Sequence, residues 1–336
     1  MSSKRSGFCQ SLKEKLFSFA GSSVFQQMTH RMTDHSANFF NRTVHGRATR
    51  LFFMLALALG ALIEARGAAA QEKSLLWRIS DGKNSAFVLG SIHYLRKENY
   101  PLSKAILDAL EASNTLVLEI DLNADGGTVQ RAILAKAAYA DGSTLAQNVA
   151  PETYQLATQR ATELGLDMRI LQPMKAWFVA LNLVAIKLRS LGVDASAGVD
   201  RYLAARAKAA GKPTRGLETL EFQIGLLDQL SKTDQELMLR ETVRELDLLD
   251  KNFDDIVQSW KRGDAEALTA LLLAGMKEYP EIYQKVIVER NRRWVPEIEK
   301  FVQQGGVMVT VGAAHLLGPD GVIEILKAKG YSVEQK

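Results

Sequence analysis

Hydrophobic and polar positions divide the chain into a leading apolar run, short apolar segments near both ends of the remaining sequence, and a long middle with helical spacing. Leu75–Ile79 and Ala86–Leu89 read as two strands joined by the turn-rich Ser80-Asp81-Gly82-Lys83-Asn84-Ser85, a hairpin with a loop longer than a tight turn. After Pro101 a helix is expected to about Ala112, with Leu102, Ala105, Ile106, Ala109 and Leu110 on one face. Thr115–Ile120 is nearly all apolar, as a strand buried on both faces is, and its one charge is Glu119. From Gly126 to about Leu191 the spacing is helical. Within it, Met174–Leu191 aligns Trp177, Ala180, Leu181, Val184, Ala185, Leu188 and Leu191 in a stripe that should face the core. Gly198–Ala210 forms a further helix, and Lys212–Leu217 a short strand that delivers Glu218. Residues 219–303 are helical again, interrupted near Gly263, Gly275 and Pro280. Val307–Val311 is a buried strand, Pro319–Lys329 a helix and Tyr331–Val333 a last strand. These elements predict an α/β fold in residues 71–336: one domain with a central mixed sheet, built from N- and C-terminal strands around a long helical insertion.

The leading run, Leu51–Ile63, follows Arg42, Arg47 and Arg50 and precedes Gly67-Ala68-Ala69-Ala70. That order of basic, apolar and small residues is a secretory signal, with cleavage expected between Ala70 and Gln71. Its 13 residues fall short of the roughly 20 that span a bilayer. Residues 1–70 are therefore expected to be signal peptide and leader, with Met32 as an alternative start. An uncleaved signal segment is the one membrane contact expected, and the compartment is periplasmic or secreted. The net charge of +4 belongs to this leader: removing it takes nine basic and three acidic residues and leaves 33 against 35. No basic stripe with base-stacking aromatics appears, so no nucleic-acid partner is expected. The single cysteine, Cys9, lies in the leader, so the remainder has neither disulfides nor thiol chemistry. Oligomeric state is not legible.

Beyond the leader only two histidines remain, both in one frame: Gly90-Ser91-Ile92-His93 and Gly312-Ala313-Ala314-His315. Each frame follows an expected strand, and in open α/β sheets ligands bind beyond the carboxyl ends of strands. Glycine in the first position lets the chain turn sharply out of the sheet. Histidine titrates near neutrality and is the commonest metal ligand. Glu119 interrupts an apolar run. Buried and unpaired it would cost several kcal/mol, so it should lie at the strand end or face a cationic or metal partner. Two histidines and a carboxylate leave an open coordination position, the composition of a catalytic metal site. A metal there would lower the pKa of a bound water and polarise a carbonyl. With no thiolate present, zinc, manganese and cobalt all remain open. Glu218 could be a second ligand, a general base, or a helix-terminal charge beside Thr219. Arg290 and Asn291 could donate to an oxyanion or orient a carboxylate, although Glu289-Arg290-Asn291-Arg292-Arg293 reads by pattern as a solvated helix face. Neither a phosphate-cradling Gly-rich loop nor Gly-x-Ser-x-Gly is present.

Taken together, these residues resemble the TraB/GumN family, which includes the Tiki-type metalloproteases. The resemblance rests on Leu76-Trp77-Arg78-Ile79 leading to Gly90-Ser91-Ile92-His93, Leu118-Glu119-Ile120-Asp121, Gly198-Val199-Asp200, Gly216-Leu217-Glu218-Thr219, Arg290-Asn291 and Val311-Gly312-Ala313-Ala314-His315-Leu316. It implies an α/β fold similar to that of erythromycin esterase and the ChaN haem-binding proteins. For the Tiki branch it implies a protease dependent on a divalent metal such as manganese or cobalt. Carried over by position, it nominates His93, Glu119 and His315 as the metal centre, with Glu218, Arg290 and Asn291 in support. The expectation is a metal-dependent hydrolase, a peptidase first of all, acting on a peptide or other small extracytoplasmic substrate. The alternative is a non-catalytic binder of a peptide, haem or other small ligand in the same cleft.

Overall fold

Six strand segments pair into a single mixed sheet in the order β4-β3-β5-β2-β1-β6. Its strands are β1 (Leu76–Ser80), β2 (Ser85–Ser91), β3 (Thr115–Leu118), β4 (Thr214–Gly216), β5 (Val307–Gly312) and β6 (Ser332–Gln335). The computed structural model describes residues 73–122 and 126–336. The leader, its cleavage site and the anchor alternative lie outside the described residues. Among those described, no helix is long and apolar enough to cross a membrane.

Pairing follows from which segments are apolar on both faces. β3 and β5 are buried at every position, and both take interior places in the sheet. β5 runs parallel to β3 on one side, with Thr115 opposite Val307 and Leu118 opposite Thr310. On its other side it runs parallel to β2, with Gly90 opposite Val311 and Ser91 opposite Gly312. β4 adds parallel to β3. The β1–β2 hairpin and β6 complete the sheet in antiparallel pairing. β5 is thus the strand that joins the pair β3–β4 to the pair β1–β2. The carboxyl ends of β2, β3, β4 and β5 all reach one rim.

The longer helices are α1 (Lys104–Ala112), α2 (Gly126–Ala137), α3 (Pro151–Glu163), α4 (Ala176–Ser190), α5 (Val199–Ala209), α6 (Leu220–Asp228), α7 (Lys232–Glu245), α8 (Leu248–Lys261), α9 (Ala265–Lys277), α10 (Glu289–Gln304) and α11 (Val322–Ala328). Their starts follow local chemistry. Ser103 accepts from Ile106 N–H to begin α1, and Thr219 accepts from Phe222 N–H to begin α6. Gly263, at φ +64°, breaks α8 from α9, where an added Cβ would also sit 2.8 Å from the backbone of Lys73 and Ser74. Gly275 does not interrupt: α9 runs through it to Lys277, and the chain breaks instead before Pro280. The stripe expected on α4 is rotated. Trp177, Ala180 and Leu188 are buried as expected, but Val179 and Leu183 join them and Leu181 is exposed. Val88, Leu89, Val117, Val309 and Val311 of the sheet pack in one core with Val257 and Trp260 of α8 and Trp294, Ile298 and Val302 of α10. Each fully buried Val or Leu contributes about 1.5–3 kcal/mol to holding that arrangement.

Candidate functional site

Four parallel strands deliver the chemistry-bearing residues to one rim. Ser91 ends β2 and is followed by His93, Leu118 ends β3 and is followed by Glu119, Gly216 ends β4 ahead of Glu218, and Gly312 ends β5 ahead of His315. Glycines allow the close approaches. At Gly198, the N-cap of α5, an added Cβ would lie 2.2 Å from the carbonyl oxygen of His93. At Gly312 it would lie 3.2 Å from both His93 Nε2 and Glu119 Oε1. Trp260 Nε1 donates to the Gly90 carbonyl at 2.6 Å, tying α8 to the first histidine frame.

His93 has a defined orientation. Its Nδ1 donates to Asp200 Oδ2 at 2.8 Å, and the other oxygen of Asp200 accepts from Ser91 Oγ at 2.8 Å. Nε2 is left pointing toward Glu119 Oε1, 4.0 Å away, in a side chain that is 56% exposed. Enclosure by neighbouring atoms works against a proton on this ring. The hydrogen bond and charge of Asp200, with the charge of Glu119, outweigh it and raise the imidazole to about 9.

Glu119, Glu218 and His315 converge on Arg290. Its Nη2 donates to Glu119 Oε2 at 2.6 Å and also pairs with Glu218 Oε1. Nε donates to Glu218 Oε1 at 2.8 Å, and Nη1 donates to His315 Nε2 at 3.0 Å. The guanidinium lies 4.6 Å over the Trp294 ring, whose Nε1 donates to Glu218 Oε2 at 3.2 Å. Gln223 Nε2 bridges the two carboxylates at 3.0 Å each. The remaining oxygen of Glu119 accepts from Gly312 N–H at 2.7 Å. His315 Nδ1 donates to Asn291 Oδ1 at 2.7 Å, and the Asn291 amide donates to the Asp320 carbonyl at 2.8 Å. Arg290 and Asn291 are therefore buried, Asn291 completely. The solvated-face reading of that segment is corrected: the polar stripe of α10 meets the strand ends, where two carboxylates and an imidazole satisfy it. A π-helical turn, Gln284–Val288, leads into α10 just before these residues.

Burial alone would push the Glu119 carboxyl up, but His315, Arg290, His93 and the Gly312 N–H together bring it down to about 2. Burial pushes His315 down, and Arg290 and His93 act the same way against Glu119, to about 3. Both groups thus resist protonation in the folded state while the unfolded chain takes up protons, so stability is lost as pH falls. His315 acts as pH drops from about 6.5 toward 3 and Glu119 from about 4.5 toward 2. His93 acts oppositely: its contribution is full below about 6.5 and lost as pH rises through about 9. Urea midpoints of the protein in chelator are expected to peak near neutrality and fall steadily from pH 7 to pH 4. A flat profile between pH 6.5 and 4 would contradict the buried neutral state of His315.

A cleft of ≈ 260 Å³ opens beside this network, lined by His93, Glu119, Asp200, Arg201 and Gln223 among polar residues and by Leu118, Ile120 and Leu122 among apolar ones. The donor set divides across it. His93 Nε2 carries the free ring position, with a carboxylate behind the other nitrogen, the support that metal-binding imidazoles have. Glu119 Oε1 faces it. At neutral pH the His93 ring carries a proton, so a divalent cation would reach Nε2 only by displacing it; the carboxylates of Glu119, Glu218 and Asp200 outnumber the guanidinium of Arg290 and would favour that exchange. His315 differs, because its lone pair accepts from Arg290 and joins a cation only if that hydrogen bond is exchanged. Among the described residues, no three His, Cys, Asp or Glu side chains are grouped closely enough to enclose a metal ion. Arg290 sits where the third would close the set.

All six nominated residues, His93, Glu119, Glu218, Arg290, Asn291 and His315, meet in this one network. Sequence reasoning gave no role to Asp200, Gln223 or Trp294. Asp200 had a signal in Gly198-Val199-Asp200, a glycine opening a helix one residue before a carboxylate; Gln223 and Trp294 had none beyond helical spacing.

Comparison with known proteins bears on the whole domain. The chain is 24% identical over 259 residues to the uncharacterized protein YbaP of Shigella flexneri, and equally to that of Escherichia coli strain K12, covering 73% of this chain and 89% of those proteins. An uncharacterized protein of Treponema pallidum strain Nichols is 21% identical over 284 residues, covering 77% of this chain and 82% of that protein. No solved structure matches. A family model, the TraB/PrgY/gumN family, matches residues 75–335.

Proposed function

Because the chain belongs to the TraB/PrgY/gumN family, we propose that this rim is the active site of a periplasmic or secreted hydrolase, a metal-dependent peptidase, whose nucleophile is a water held between His93 and Glu119. The carrying observation is the geometry of His93 Nε2, whose ring is backed by Asp200 and which faces Glu119 Oε1 across 4.0 Å at the mouth of a cleft. His93 Nε2 and Glu119 Oε1 would hold a divalent cation such as manganese, cobalt or zinc, which when bound lowers the pKa of a water and polarises a substrate carbonyl.

The protein's own residues supply the rest. Asp200 fixes the imidazole with its proton on Nδ1, so that Nε2 stays aimed at the cleft. The Gly312 N–H anchors Glu119 Oε1, while Arg290 and Gln223 hold its other oxygen, so the carboxylate presents one edge. Glu218 and Asn291 act through Arg290 and His315, as orienting groups behind the reacting edge. Leu118, Ile120 and Leu122 wall one side of the cleft and reduce the water competing there.

The test is hydrolysis of a mixed peptide library, followed by mass spectrometry, with chelator-stripped protein and after return of manganese, cobalt or zinc. Cleavage is expected only with added cation. Asp200→Asn is expected to lower kcat/KM about 10–100-fold with the fold retained, because the carboxylate behind a working imidazole contributes on that scale. Ligand retention without turnover of any peptide would move the protein to the class of binders.

A further inference from the structure

The charged residues lining the cleft are unequal. Glu119 is held by Arg290, Gln223 and Gly312, and Asp200 by Ser91 and His93. Arg201, next along the first turn of α5, is exposed and lines the same cleft, and among the described residues no hydrogen bond, ion pair or ring contact engages it. Arginines elsewhere have partners: Arg206 of the same helix stacks on Tyr202 and bonds its hydroxyl, and Arg293 of α10 lies over Phe222. A guanidinium held at the wall of a cleft without a counter-charge is a ready bidentate donor for a planar anion. The cleft's ≈ 260 Å³ lies below the roughly 300–1,000 Å³ of sites for drug-sized ligands, so it suits the end of a chain better than a long segment.

From this placement we infer that Arg201 is a specificity-determining residue that binds a carboxylate of the substrate, so that the cleft takes short peptides ending in a free α-carboxylate. The inference deepens the hydrolase reading by naming the substrate class at the same site. The carboxylate would lie against Arg201 while the bond to be cut lies toward His93 and Glu119. The apolar wall of Leu118, Ile120 and Leu122 would receive the adjoining side chain.

Calorimetric binding to the full-length chain in chelator tests this without turnover. Three probes are compared: N-acetyl-Ala-Ala with a free carboxylate, the same peptide as its amide, and N-acetyl-Ala-Glu amide, in which the only carboxylate is on a side chain. The free acid is expected to bind at least tenfold more tightly than either amide, and Arg201→Gln to erase the difference while leaving thermal unfolding unchanged. Arg201→Lys is expected to restore part of the preference, since a point charge attracts the anion without the paired geometry. Tighter binding of the side-chain carboxylate would reassign Arg201 to acidic side chains and overturn the terminal-carboxylate inference. Equal affinity for acid and amide, a preference that survives Arg201→Gln, or no binding of any probe would also overturn it. Carboxylate-dependent binding without peptide turnover would keep Arg201's role and defeat the hydrolase. Turnover indifferent to the free carboxylate would do the reverse.

Discussion

Arg290→Met is expected to cost about 3–5 kcal/mol of stability, the scale seen when one partner of a buried charge network is removed. Among the described residues the guanidinium is the one cation paired with both Glu119 and Glu218, and it also fills the lone pair of His315. Methionine keeps much of the volume and none of the charge. Two carboxylates would then share a buried space with Gln223 as their one common donor, Trp294 donating to Glu218 and the Gly312 N–H to Glu119. With a urea slope near 3 kcal/mol/M for a domain of this size, the midpoint should move by about 1–2 M. The gap between variant and parent should narrow on acidification, because a proton on either carboxylate relieves the repulsion. Arg290→Lys should recover little, since one ammonium cannot reach both carboxylates and the imidazole together. A midpoint within about 0.3 M of the parent at pH 7 would mean that the network contributes little.

His93→Ala is expected to do the opposite: a large loss of activity on an intact fold. The ring is more than half exposed, so solvent screens its pairing with Asp200 and discounts the stability its raised pKa would otherwise supply; Asp200 also keeps its bond to Ser91 when the imidazole is gone, so unfolding should shift by only about 1 kcal/mol. Loss of a positioned acid–base or ligand group lowers kcat/KM by about 10²–10⁴. Metal bound after equilibration, read by elemental analysis, should fall below one tenth of the parent's content. His315→Ala supplies the contrast: it opens a hole under Trp294 and frees Arg290 Nη1, so its first effect should be on stability. Unchanged metal content and activity in His93→Ala would remove this residue from the centre.

Much of this architecture was legible along the chain, for identifiable reasons. Strands β1, β2, β3 and β5 stand out because each is a short apolar run bounded by turn residues, while β4 and β6 are polar edge strands placed by their neighbours; the strand ends deliver Gly90, Glu119, Glu218 and Gly312 to one rim. Family membership was legible because the motifs sit at strand ends and helix starts, where backbone geometry restricts the residue. Helix faces were harder. The polar stripe of α10 is chemically indistinguishable from a solvated one until the carboxylates it meets are placed beside it, and those lie at sequence separations of 171 for Glu119 and 72 for Glu218. The rotation of the α4 stripe has a similar origin: both faces of that helix are apolar enough to compete, and packing decides between Leu181 and Leu183. The pairing of His315 with Arg290 rather than an open position depends on two side-chain rotamers, which residue type alone does not specify.

The order in which the sheet is threaded has a consequence for how the protein is made. β5 bridges the two strand pairs, yet it comes from residues 307–312 and is made after every other strand except β6. A ribosome-bound chain lacking it holds His93 on one fragment of sheet and Glu119 on another, with nothing to register them. The rim is therefore assembled in one late step, once residues 307–315 have emerged. A chain stopped before Val307 carries His93, Glu119, Glu218 and Arg290 but lacks His315 and the strand that sets the others in register.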